Sequence, residues 1–342
     1  MKKQTVLALI VAIATTMTVS AQTIALHSTT GVQIFKGNTA LALAYTAAAS
    51  GDTLYLSGGT FTPPATFDKK LMILGAGHYA DSAQITGKTF INGNVSLGEN
   101  SDQSYFEGFE VNGNLTTPYN ASVNSFTLKR CRVVGNLAFD GDLTTTPSTN
   151  VALIGNVFMG SVSSANMTAS MIANNIFSNA LHNTNGNLII NNDFLNGIYS
   201  SYQYYVFSGN NNTLNNNIFV YASGLAYSAS AGNVYNNNLF VSATPGYGTT
   251  PSYVGNYVNI AQTAIFVNQT GNVFDYGHDY NLQDPVTYLG NDATQVGIYG
   301  GSFPYKEGAV PMNPHIQVKN ISTTTDANSE LQIQIQVKAQ ND

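Results

Sequence analysis

The chain has 342 residues, of which only 9% are charged, and its formal net charge is −6. Its 12 Lys and Arg in total exclude a nucleic-acid partner, because phosphate binding needs clustered cations that release counterions. With 41 Asn, 31 Gly, 20 Tyr and 43% hydrophobic residues, it is not a charge-rich disordered chain and has enough apolar material for a core.

At the N-terminus, Lys2 and Lys3 precede a largely apolar run from Val6 to Val19, and Val19-Ser20-Ala21 is a small-x-small cleavage signature. Residues 1–21 therefore read as a signal peptide of bacterial appearance, cut near Ala21. The chain is expected to be secreted, whether extracellular, periplasmic or on the outer surface. The run is too short for a comfortable membrane span, so none is expected after cleavage. Cys131 is the single Cys, which excludes an internal disulfide framework. Next, Asn38 to Ser50 reads as a short amphipathic helix, followed by the strand-like Gly51-Asp52-Thr53-Leu54-Tyr55-Leu56.

A repeat follows. The triplet Asn-x-Phe occurs at Asn156/Phe158, Asn175/Phe177, Asn192/Phe194, Asn217/Phe219, Asn238/Phe240 and Asn272/Phe274. The first five are spaced by 19, 17, 25 and 21 residues, and the sixth follows after 34. Upstream, Cys131 occupies the Asn slot and Val133 the Phe slot, while Leu153, Ile172, Ile189 and Leu214 each precede an Asn by three positions. Each unit thus reads as a short strand, a tight corner and a second short strand. Such units bury their faces only by stacking. Stacking sets equivalent residues about 4.8 Å apart, which neutral Asn and Phe tolerate and like charges do not. Asn is expected at the corner in the left-handed conformation, its amide bonded to the Asn above and below. The fold class is all-β, a parallel β-solenoid.

With its opening helix, the Asn ladder and the rung-like Gly58-Gly59-Thr60-Phe61 and Lys70 to Gly77, the chain resembles the right-handed parallel β-helices of the pectin-lyase-like superfamily. The resemblance implies an N-terminal capping helix and a β-helix over 22–300. Residues 301–342 are expected to form a C-terminal capping segment, in which His315 to Ile321 pairs with the strictly alternating Leu331 to Val337 as a hairpin. That hairpin is expected either to cap the open end of the helix or to form a small appendage.

Superfamily members that cleave polysaccharides use a Lys or Arg base, commonly with Ca²⁺ on acidic side chains, or clustered Asp residues. Here, between Asp142 and Asp275, the only charged residue is Asp193. His182 has only Asp193 as a potential acid partner in that stretch. The weak catalytic candidates are therefore on the early rungs, Lys129, Arg130 and Arg132, with Glu99, Asp102, Glu107, Glu110, Asp140 and Asp142 around them. They read either as solvated turns with surface ion pairs or as a site in which an Arg is base or carboxylate clamp and the acids hold Ca²⁺. Asp275, His278 and Asp279 form a weak metal candidate, with an ordinary polar loop as the alternative; no spacing matches a metal motif.

Fifteen of the 20 Tyr lie between Tyr199 and Tyr305. Tyr199, Tyr202, Tyr204, Tyr205 and Tyr221, with Tyr227 and Tyr235 nearby, suggest a sugar-stacking face; packing of loops on the coil is the other explanation. The sequence thus favours a non-catalytic secreted β-helix that binds a polysaccharide, cell-surface glycan or other surface partner through a neutral Tyr- and Asn-rich face. The alternative is a divergent polysaccharide lyase or glycoside hydrolase with its site on the early rungs.

Overall fold

The computed structural model describes residues 22–80, 85–200, 203–221, 224–312 and 314–338, without the side chains of Tyr199 and Ser200. Residues 1–21, where a signal peptide is expected, and Tyr202 lie outside the described residues.

Three sheets of twelve, nine and six strands wind into a parallel β-solenoid of about nine turns. Each strand is only two or three residues long in most coils, which matches the short apolar spacing of the repeat. The first sheet runs from the edge strand Gly31–Lys36 to Ser252–Val254. Its inward row is Leu128, Leu153, Ile172, Ile189, Leu214, Tyr235 and Tyr253, each paired in register with the next. The second sheet runs from Gly59–Phe61 to Leu239–Phe240 and carries the Phe row inward. Phe177, Phe194, Phe219 and Phe240 stack nearly parallel, with successive centroids 4.6, 4.7 and 4.9 Å apart, and Phe158 leads in at 5.2 Å. The third sheet adds Leu115, Leu137, Val162, Leu181 and Phe207, all fully buried. Alternation does the rest: one side chain of each short strand fills the coil and its neighbour points outward.

The Asn ladder is present, with one correction. The left-handed corner residue is the one before each ladder Asn: Asn174, Asn191, Asn216 and Asn237 have φ between 50° and 58°. Asn175, Asn192, Asn217 and Asn238 instead turn their amides into the coil. Asn156 Nδ2 donates to Asn175 Oδ1 at 3.0 Å, and the chain continues through Asn192, Asn217 and Asn238 to Asn256. Each amide also donates to a main-chain carbonyl, such as Leu128 for Asn156 and Leu153 for Asn175. Cys131 occupies the Asn slot, its backbone N–H donating to Asn156 Oδ1 at 2.9 Å. Burial pushes its thiol pKa up, so the group stays protonated and unreactive.

The capping helix spans Ala40–Ala47 and buries Ala40, Leu41 and Ala44 over the first coil. It stops short of Ser50 because Ala48 is extended, Gly51 has φ 99°, and the Asp52 carboxylate accepts the Ala49 N–H at 2.8 Å.

At the other end, the parallel coils stop at Tyr257, which bridges Leu239. The Asn272/Phe274 triplet is therefore not a rung. Phe274 lies outside the coil, its N–H donating to Ser178 Oγ at 2.8 Å and its ring stacked on Tyr280. It belongs to a strap, residues 262–311, that returns along the outside of the second sheet towards the first coils. Asn237 donates to Leu289 O, Asn191 to Gly297 O, Asn174 to Ile298 O at 2.8 Å, and Arg130 to Val310 O at 3.2 Å. The left-handed corner residues point outward and so grip the strap. Under it, the outward row Val157, Ile176, Ile218 and Leu239 is buried against Ile265, Phe266, Val296 and Ile298.

The C-terminal hairpin pairs His315–Ile321 with Ile333–Lys338. It follows a strap that has already returned to the beginning of the solenoid, and His315 and Ile316 share a cavity wall with Leu56, Ser57, Gly75 and Ala76. It is thus an appendage and not a cap over the last coil, where Tyr253 remains 61% exposed.

Candidate functional site

The early rungs do bring charges together. Arg132 and Glu110 are neighbours across the second sheet, and Arg132 Nη1 lies 3.0 Å from Glu110 Oε2, with Lys88 Nζ at 3.6 Å from the same oxygen. At the corner beside them, Arg130 Nη1 lies 3.0 Å from Glu107 Oε1, and both side chains are almost wholly buried. Arg130 has φ 52° in a slot that neighbouring coils fill with Gly108, Gly155 and Asn174, so its backbone carries strain that the ion pair and the Val310 carbonyl offset.

The remaining charges expected there disperse into turns: Asp102 caps the Asn124 N–H, and Asp142 caps Thr144. The strap seals the cluster with Tyr276, whose hydroxyl donates to Glu110 at 3.5 Å and meets His78 Nδ1 at 3.1 Å. The other ring nitrogen, Nε2, is buried with no partner in hydrogen-bonding geometry. Burial, and then the charges of Arg132 and Lys88, hold the His78 pKa well below its usual value. His78 is therefore neutral and out of reach of solvent. Each Arg on these rungs is committed to a carboxylate, an arrangement that anchors the strap to the coil.

The middle rungs separate the other pair. His182 faces outward from the third sheet, in register with Ser163, whereas Asp193 faces outward from the second sheet beneath the strap. The acid whose charge His182 feels is Asp140. Asp193 is fully buried between Ile176 and Ile218, and neither carboxyl oxygen has a partner in hydrogen-bonding geometry. Burial pushes its pKa well above the ordinary value, with only partial relief from the Ile298 backbone.

In the metal candidate, Asp275 accepts the Gly277 N–H, Asp279 accepts from Asn281, and His278 Nδ1 meets the Tyr280 hydroxyl at 3.4 Å. These are turn contacts. Among the described residues no three His, Cys, Asp or Glu side chains gather as a metal site.

The Tyr cluster resolves into supports and a face. A hairpin, Ile198–Ser200 with Gln203–Tyr205, projects from the coil and pairs the backbones of Tyr199 and Tyr204. Tyr205 is buried and packs edge-on against Tyr227 at 5.3 Å; Tyr235 is wholly inside the coil. Tyr204 is half exposed and lies 6.3 Å from Tyr221.

Beside this hairpin, on the coil corners, is an open groove of about 250 Å³ lined by Asn183, Asn185, Ser208, Asn210, Tyr227 and Ser230. The amides of Asn185 and Asn210 are held in place. Asn185 Oδ1 accepts from Asn210 N–H and Nδ2 at 3.2 Å, Asn210 Oδ1 accepts the Ala231 N–H at 2.8 Å, and Gln203 of the hairpin accepts the Ser228 N–H. No charged residue lines it. Sequence reasoning included Tyr227 but missed the three Asn, which look like every other Asn in the repeat.

The chain matches no family model, no curated protein and no solved structure. No helix among the described residues is long and apolar enough to cross a membrane.

Proposed function

We propose that this protein is an exported, non-catalytic β-helix of the pectin-lyase-like type that binds a neutral glycan. The observation that carries the reading is the charge-free groove of fixed Asn amides and Ser hydroxyls walled by Tyr227. Sugar hydroxyls need paired donors and acceptors of that kind, and a Tyr ring offers an apolar face to the ring C–H groups. The half-exposed Tyr204 and the partly buried Tyr221, 6.3 Å apart, extend this reading to the neighbouring hairpin. The committed ion pairs Arg130–Glu107 and Arg132–Glu110 weigh against a lyase or hydrolase on the early rungs, since a guanidinium paired with a buried carboxylate is held protonated and cannot accept a substrate proton.

Affinity electrophoresis through gels cast with neutral and acidic polysaccharides tests this. Retardation by a neutral glycan that is lost in Tyr227→Ala and Asn210→Ala supports it. Retention unchanged in both variants, or new reducing ends or unsaturated products in the presence of added Ca²⁺, overturns it.

A further inference from the structure

The first sheet is open at both ends, and the two ends carry the same pattern. Among the described residues no strand pairs with the outer edge of Gly31–Lys36 or of Ser252–Val254. In the last coil the inward Tyr253 is followed by the outward Val254, by Gly255 with φ 66° and by the ladder residue Asn256. In the edge strand Phe35 is followed by Lys36, by Gly37 with φ 93° and by Asn38. Phe35 faces inward, since it lies opposite the buried Ile24 and packs against the core. The edge strand thus has the order of a rung, inward aromatic, outward residue, left-handed corner and Asn, at the opposite end of the sheet from the rung that ends the ladder.

Strand direction and hydrogen-bonding parity match as well. Gly31–Lys36 runs antiparallel to Thr23–Ser28, which runs antiparallel to Thr53–Leu56, so the edge strand has the direction of every later rung in this sheet. In the last rung the Ser252 N–H donates to Asn233 O and the Val254 carbonyl accepts from the Asn237 N–H, both towards the preceding coil. The Tyr253 N–H and carbonyl therefore point to the open end. In the edge strand the Gly37 N–H donates to Gln22 O, so by alternation Phe35 and Gln33 bond to Thr23–Ser28 while the main-chain groups of Ile34 and Lys36 turn outward. Setting Phe35 of one copy beside Tyr253 of another places Ile34 O and the Lys36 N–H opposite the Tyr253 N–H and carbonyl. The same register extends the inward aromatic row and sets Asn38 Oδ1 where Asn256 can donate to it, as Asn238 donates to Asn256 Oδ1 at 2.9 and 3.1 Å. A slip of one residue breaks all three matches together. Both ends also expose apolar side chains: Val32, Ile34 and the helix residue Leu43 at one, Tyr253 and Val254 at the other.

We infer that the solenoid associates head to tail with a second copy of itself, the edge strand Gly31–Lys36 of one copy adding to Ser252–Val254 of the next. The two surfaces are different and lie at opposite ends of the sheet, so each copy still offers one free end and chains of copies grow.

Sedimentation velocity of the purified full chain tests this: the average mass rises with concentration and passes that of a dimer. Asn38→Ala, at an exposed position, removes only the acceptor for Asn256 and weakens association about tenfold. Lys36→Pro and Tyr253→Pro each remove an outward-pointing N–H, a change an edge strand tolerates, and each variant alone is monomeric. Mixed together they form one-to-one dimers and nothing larger, through the intact last rung of the first and the intact edge strand of the second. Circular dichroism and thermal unfolding confirm that the variants fold. A measurement without variants reads the same contact: the amides of Lys36, Tyr253 and Asn256 exchange more slowly in concentrated than in dilute wild-type protein. A single monomeric species, a mass that stops at the dimer, association unchanged in Asn38→Ala, no mixed dimer, or exchange at these amides independent of concentration overturns the assignment. Tyr227→Ala leaves association unchanged, so this proposal and the glycan groove can fail separately.

Discussion

Asn192 and Asn217 are joined twice through one atom: Asn217 Oδ1 accepts both the backbone N–H and the side-chain Nδ2 of Asn192, each at 2.9 Å. Asn192 Oδ1 in turn accepts from Asn175, and its Nδ2 also reaches Ile172 O. A fully buried residue therefore serves three coils at once. Asn192→Leu keeps the volume but strands several buried donors and acceptors, and should cost roughly 2–4 kcal/mol. Asn114→Ser, in the exposed ladder where Asn114 Oδ1 accepts the Asn136 N–H, should cost no more than about 1 kcal/mol. Urea unfolding of the two variants distinguishes them; equal losses count against the buried ladder as a stabilising element.

The rows that fill the coil were readable because Leu153, Ile172, Phe158 and Phe177 recur at a spacing set by local geometry. The corner was misread by one residue because Asn174-Asn175, Asn191-Asn192, Asn216-Asn217 and Asn237-Asn238 place both roles side by side, and spacing cannot say which Asn is left-handed. Phe274 matched the triplet locally, but residues 262–311 have no coil period and fold back by long-range contacts. The same strap decides which charges are buried: Arg130 meets Val310 across 180 residues, a contact no local pattern encodes. The groove at Asn183, Asn185 and Asn210 was invisible because ladder and site draw on the same residue type.

Asp193 should give the protein an unusual pH response. Its folded-state pKa is raised from 3.8, so its contribution to stability is complete below that value and is lost as pH rises through the raised folded value. Asp193→Asn removes that loss. Compared at successive pH values upward from 4, the variant gains on the wild type by about 1.4 kcal/mol per pH unit until the folded pKa is passed. Stability curves that run parallel over this range would show that the carboxyl is not held neutral beneath the strap.

His78 acts with the opposite sign. Its folded pKa is lowered well below 6.5, so the stability it supports is present above pH 6.5 and lost as pH falls towards the folded value. His182, lowered by partial burial, adds in the same direction. Replacing His78 by Gln should flatten the acid side of the stability profile without removing the residual slope from His182. Tyr276 covers His78, so its fluorescence and hydrogen exchange near residues 270–280 report whether the strap loosens with protonation. An unchanged acid slope in His78→Gln contradicts the assignment.

Arg130 tests whether the buried ion pair holds the strap or only tolerates it. In Arg130→Ala the Glu107 carboxylate stays fully buried without its cation, which costs about 3–5 kcal/mol, and the Val310 carbonyl loses its donor. Arg130→Gly relieves the left-handed backbone, as Gly does at 108 and 155, yet leaves the same orphan charge; it should recover only about 1 kcal/mol of that loss. Combining Arg130→Gly with Glu107→Gln removes both the strain and the charge. If the pair's main effect is to neutralise two charges buried by the strap, the double variant regains most of the lost stability, with a coupling of the order of 2–3 kcal/mol in a double-mutant cycle. If the pair instead pins the strap through Val310, stability returns but residues 302–311 exchange their amides faster than in the wild type. Additive losses in the two single variants exclude both mechanisms, because residues in direct contact must then act independently.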